Sequence, residues 1–72
     1  MNRTNAPLLA GRSLVKDERL WLSTPVSTPQ CRVAAWRTRD DGSVVVVVTY
    51  DNGGAGYFCA SELDRYFKRS KR

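Results

Sequence analysis

The sequence predicts an α+β fold: a three-stranded antiparallel β-meander followed by a C-terminal α-helix, with the N-terminal third wrapped against it. Three observations predict it. Five consecutive valines, Val44 to Val48, have the composition of a strand that is apolar on both faces. Two turn signals, Asp40-Asp41-Gly42 and Asp51-Asn52-Gly53-Gly54, bracket those valines. Leu63, Tyr66 and Phe67 then fall at i, i+3 and i+4, the apolar stripe of a helix.

Residues 1–12 show no period and carry Pro7 and Gly11, which suggests a flexible arm that the packing of Leu8 and Leu9 could order. Residues 13–72 form the single small domain. Residues 13–22 fit two readings. Ser13 can cap a short helix, and Leu20, Trp21 and Leu22 fit a short strand equally well. Residues 23–30 are an extended linker. Pro25 and Pro29 forbid a regular element, and each restricts the residue before it. Cys31 to Arg39, Ser43 to Tyr50 and Ala55 to Ala60 are the three strands. Ser61 opens the helix, with Asp64 completing an approximate capping box. Glu62 and Asp64 lie at its positive end and the basic residues at its negative end, as the helix dipole favours.

The turns fix a register. A three-residue first loop pairs Arg39 with Ser43, so Trp36 opposes Val46 and Ala34 opposes Val48. A second turn pairing Tyr50 with Ala55 sets Val48 against Tyr57 and Val46 against Cys59. One face then carries Ala34, Trp36, Val44, Val46, Val48, Tyr57 and Cys59, and the other carries Val33, Ala35, Val45, Val47, Phe58 and Ala60. A one-residue slip at the first turn would exchange the faces of the first strand. Both faces being apolar, each needs a cover. The C-terminal helix can cover one. The segment Leu8 to Leu22, closure into a barrel, or a second copy in a homodimer can cover the other. The closed alternative is an SH3-like small β-barrel, with residues 20–22 as an added strand.

Length and composition bound the function. Seventy-two residues make one domain at most. A chain of this size buries roughly 60% of the surface its unfolded state exposes, so its core is thin. No stretch approaches the ~20 apolar residues of a membrane span. Nor does the N-terminus carry the apolar run of a secretory signal, so the expectation is a cytoplasmic protein with no membrane partner. There is no histidine, and Cys31 and Cys59 are the only cysteines. A structural zinc site needs about four ligands, which these cannot supply. The usual general base is missing too, so neither an enzyme nor a cofactor is expected. Both cysteines read as buried thiols. They lie about five residues, or ~17 Å, apart along the sheet, too far for a disulfide.

The net charge is +5, and the first sixty-four residues sum to zero. All of the excess sits in Arg65, Lys68, Arg69, Lys71 and Arg72. On a helix, Arg65, Lys68, Arg69 and Arg72 share one face, which can follow a phosphate backbone. Arg32, Arg37 and Arg39 add cations near the first hairpin. In element order, residues 31–70 resemble the arm-binding domains of phage integrases and the plant AP2-type domains. That resemblance implies arginines of a three-stranded sheet placed in a DNA major groove. Other features read as structure. Asp40, Asp41 and Asp51 are turn residues, and Gly53-Gly54-Ala55-Gly56 joins two strands and opens no helix. Trp36 belongs with the core valines, whereas Trp21 fits either core or surface.

The sequence thus predicts a small non-enzymatic binding protein, a nucleic-acid-binding regulatory module that uses a basic C-terminal helix. The alternative is a protein-interaction module or small inhibitor, of the kind found in phages and plasmids. It would offer an apolar sheet face or edge to a partner, or its cations to an acidic protein surface.

Overall fold

The computed structural model describes residues 6–70. The chain is mostly strand, with one short helix near its C-terminal end. β1 (Leu8–Leu9) and β2 (Arg12–Ser13) form a small hairpin. β3 (Arg19–Leu22), β4 (Gln30–Thr38), β5 (Val44–Tyr50) and β6 (Ala55–Cys59) follow. A 3₁₀ turn (Ala60–Glu62) leads into α1 (Leu63–Tyr66), and β7 (Phe67–Lys68) is the last described strand. The main sheet is five-stranded and antiparallel, in the order β6-β5-β4-β3-β7. The expected meander is therefore its β4-β5-β6 portion, extended by β3 and β7. The strand at residues 20–22 forms, but the outer strands β6 and β7 are not paired with each other, so no barrel closes.

Both hairpins of the meander use the same loop. Arg39 N–H donates to Ser43 O (2.7 Å), and Tyr50 N–H donates to Gly54 O (2.8 Å). Each encloses three residues, Asp40-Asp41-Gly42 and Asp51-Asn52-Gly53. Gly42 and Gly53 sit at φ +90° and +94°, the left-handed geometry this loop demands. The second loop is thus one residue shorter than the register above assumed. Val46 pairs with Phe58, and Val47 pairs with Tyr57. The first hairpin keeps Trp36 against Val46, but a bulge between Val33 and Ala35 moves Val33 opposite Val48.

These two corrections redistribute the faces. Val33, Trp36, Val46, Val48 and Phe58 share the inner face. Ala35, Val45, Val47, Tyr57 and Cys59 share the outer one. The exchange is physically sensible. It sends the fully apolar Phe58 inward, where its ring meets Phe67 edge-on at 4.8 Å, and leaves amphipathic Tyr57 outside. Gly56 is also inward, and a Cβ there would lie 2.5 Å from Tyr50 Oη. That glycine is occupied by the Tyr50 ring and is not part of an anion cradle.

The core is one cluster on the inner face: Leu9, Leu14, Leu20, Cys31, Val33, Val46, Val48, Leu63 and Phe67. Both covers sit on this face. The N-terminal segment brings Leu9 and Leu14, and the C-terminal segment brings Leu63 and Phe67. Of the arm expected over residues 1–12, residues 1–5 lie outside the described residues, and Leu8–Ser13 is the hairpin that carries Leu9. Its two-residue turn holds Ala10 and Gly11 at positive φ.

The C-terminal helix differs most from expectation. It spans four residues, and Phe67 is already extended at φ −120°, ψ 150°. The N-cap of α1 is Glu62, not Ser61, and it makes no side-chain capping bond, while Asp64 accepts the Ala10 N–H at 2.6 Å. A single turn has little stability of its own. Pairing of β7 with β3, supported by Ser23 N–H donating to Tyr66 O (2.7 Å), overrides helix propensity there. Arg65 and Lys68 therefore lie on different elements rather than on one helix face, and Arg72 lies outside the described residues.

Both cysteines are free thiols. Cys31 is fully buried, and burial, reinforced by the Asp51 charge, pushes its thiol up to about 11. Cys59 is half-buried on the outer face of an edge strand. In the folded protein a neutral-pH thiol reagent should therefore label Cys59 long before Cys31, read by intact mass and peptide mapping. Equal rates would contradict the register of β4 and β6.

Candidate functional site

The charges of the sheet are sorted by face. Its five strands contain Arg19, Arg32, Arg37 and Lys68, and no Asp or Glu. The register puts all four on the outer face. Arg19 lies opposite Arg32, next to the inward pair Leu20 and Cys31. Arg37 pairs with Val45, which pairs with Cys59. Lys68 lies opposite Trp21, next to the inward pair Leu22 and Phe67. Arg39 follows β4 at the mouth of the first turn. All five cations are exposed.

Like charges set directly opposite on adjacent strands are destabilising, so the Arg19–Arg32 pair is an unfavourable arrangement that a bound anion would relieve. Among the described residues the one salt bridge joins Arg69 to Glu18, and it involves none of these five. Arg39 has a partial counter-charge. Asp41 accepts two bonds from Ser43, from Oγ at 2.7 Å and from the backbone N–H at 2.9 Å. Those bonds, followed by the Arg39 charge, hold its carboxyl below the usual carboxylate range.

At the Arg37 and Arg39 end of this face lies an open groove of about 890 Å³. Ala35, Val45, Val47 and Tyr57 give it an apolar lining. Arg37 and Arg39 stand at its rim, with Asp40 and Asp41 at the turn end. Val45 is 7% exposed and Tyr57 is 71% exposed. Ala35, Val47 and Tyr57 form one cross-strand row. Trp21 is half-buried on the same face, between Gln30 and Lys68.

The residues singled out from sequence divide into groups. Arg32, Arg37, Arg39 and Lys68 come together on the outer face. Arg65 is exposed on α1, on a different element. Arg69 is taken up in a structural contact with Glu18 and the N-terminal hairpin. Lys71 and Arg72 lie outside the described residues. Arg19 was missed, because the segment around it fits helix and strand equally and only the pairing with Arg32 reveals its position. Tyr57 was missed through the one-residue difference in the second loop.

The described residues contain no group of three or more His, Cys, Asp or Glu that could hold a metal ion. No helix among them is long and apolar enough to cross a membrane. Compared with protein-family models, curated proteins and solved structures, the chain matches none of them.

Proposed function

We propose that this chain is a non-enzymatic nucleic-acid-binding module whose contact surface is the outer face of the sheet. One observation carries the reading: the strands bring four cations and no carboxylate to a single face. Phosphate neutralisation by such cations supplies sequence-independent affinity through counterion release. The surface differs from the basic helix expected from sequence, since Arg19, Arg32, Arg37 and Lys68 replace the tail as the principal contacts.

The test is a fluorescence-anisotropy titration over a range of salt. Wild type should bind oligonucleotides with a log–log salt slope of roughly −3, about 0.7 per phosphate contact for single strands. The combined Arg19→Gln, Arg32→Gln, Arg37→Gln and Lys68→Gln variant should lose most of both affinity and slope. Changing Lys71 and Arg72 alone should leave most of both intact. If wild type fails to bind at low salt, or the four-fold variant binds like wild type, this reading is wrong.

A second reading has its own observation. β6 is an edge strand of Ala, Gly, Tyr, Phe and Cys with no charge and no proline. Such an edge is open to strand addition by a protein partner. It becomes the leading reading if the oligonucleotides do not bind.

A further inference from the structure

The outer face is more than a field of positive charge, because it also carries an apolar groove with an aromatic side chain at its edge. Tyr57 is the most exposed aromatic side chain of the described chain, at 71%. It stands on the edge strand, in a row with Val47 and Ala35. Those small neighbours leave the ring standing clear in the groove. The next row toward the first turn carries Arg37, with Arg39 beyond it. On the other side, past the bulge, the row of Thr49 and Ala55 carries Arg32, with Arg19 opposite. Along the direction of the strands, Arg37 and Arg32 thus lie one row to either side of the ring, both on β4, two strands or about 10 Å across the sheet from it.

We propose that this face takes single-stranded nucleic acid, with a base stacked on the Tyr57 ring and the flanking phosphates on Arg37 and Arg32. The inference rests on the nucleic-acid reading above and specifies its ligand. A single strand presents an unstacked base projecting from a backbone with a phosphate on either side, which matches a line of arginines on β4 with an aromatic ring two strands across from it. A duplex keeps its bases stacked inside and offers a continuous phosphate surface. Docked on this sheet, it would leave the groove floor at Ala35 and Val47 uncovered and the Tyr57 ring unused. Exposed aromatics on an antiparallel sheet are a general means of holding splayed bases. Asp40 and Asp41 close the turn end of the groove, so the strand's path runs over Arg37 toward Arg32 and away from that turn.

The experiment compares short labelled oligo(dT), oligo(U) and a duplex of the same length, at low and moderate salt. Wild type is measured beside Tyr57→Ala and Tyr57→Phe, with folding checked by circular dichroism. Both single strands should bind at least about tenfold tighter than the duplex. Tyr57→Ala should weaken single-strand binding by about ten- to a hundredfold, the usual worth of one base–aromatic stack. Its salt slope should be unchanged, because no phosphate contact is removed. Tyr57→Phe should bind within about twofold of wild type, since the ring face is retained. A duplex bound as tightly as the single strands, or Tyr57→Ala binding like wild type, overturns this inference and leaves the nucleic-acid reading standing. Failure of all three probes to bind wild type at low salt overturns both.

Discussion

Val46→Asp is expected to abolish cooperative folding. Val46 is fully buried on β5, which is paired on both sides, by β4 and β6. Trp36 and Phe58 are its cross-strand partners, and it belongs to the single core cluster. A carboxylate at this position has no cation within the core to meet it, because the core holds no buried charged residue. It must either stay ionised at a cost of several kcal/mol or take up a proton and bury an unpaired hydroxyl and carbonyl. A single core in a chain this short supplies only about 3–5 kcal/mol of net stability. The penalty therefore matches or exceeds the whole. Thr49→Asp is the matched control, since Thr49 lies on the same strand, outward and exposed. It should keep a sigmoidal thermal melt by circular dichroism, while Val46→Asp should show none. A near-wild-type melt for Val46→Asp would overturn the assignment of the inner face.

That contrast between neighbours on one strand also marks what could be read in advance. The valine run and the turn residues are local signals, so the β4-β5-β6 meander and the pairing of Trp36 with Val46 were legible. The bulge at Ala34 was not. Ala34 and Ala35 are chemically alike, and only Val33 reaching the core decides which of them is squeezed out of register. The second loop was misread because Asn52-Gly53 suggested a turn ending one residue later. The better signal was the shared Asp-x-Gly spacing of the two loops, Asp40 to Gly42 and Asp51 to Gly53. Helix length was illegible for a different reason. Residues 61–69 carry a good helical stripe, yet β3 offers Phe67 and Lys68 a strand to pair with. No property of the local sequence reports that offer. The candidate site suffered most. Charge summed along segments gives zero for the first sixty-four residues, but folding places every carboxylate outside the sheet strands and four cations within them. Segment sums cannot detect a separation between faces.

Arg69→Ala should destabilise the fold by about 2–4 kcal/mol, whereas Arg65→Ala should stay within about 0.5 kcal/mol. The two arginines belong to one basic run in the sequence, so the difference must come from their surroundings. Arg69 is three-quarters withdrawn from solvent or more, its side chain 18% exposed and that of Glu18 19%. Its Nε donates to Glu18 Oε2 at 2.5 Å, and Nη1 donates to Leu9 O at 2.5 Å. Nη2 donates to Arg12 O at 3.1 Å and to Ser13 O at 3.2 Å. One guanidinium thus closes carbonyls on both strands of the N-terminal hairpin and ties them to the end of β7. Removing it strands the Glu18 carboxylate, whose remaining bond is from Val15 N–H at 3.0 Å. It also loosens the hairpin that seats Leu9 in the core. Part of the lost energy is recovered because water reaches the site, which is why the range lies below that of a fully buried pair. Chemical denaturation gives the magnitude, and hydrogen exchange gives the location. Protection should fall first in residues 8–15, with β4 and β5 following only at global unfolding. Lysine should rescue little, because a single ammonium cannot reproduce the planar fork that reaches three elements at once. Equal effects for Arg69→Ala and Arg65→Ala would return Arg69 to the solvated tail, where its charge would be free for a ligand.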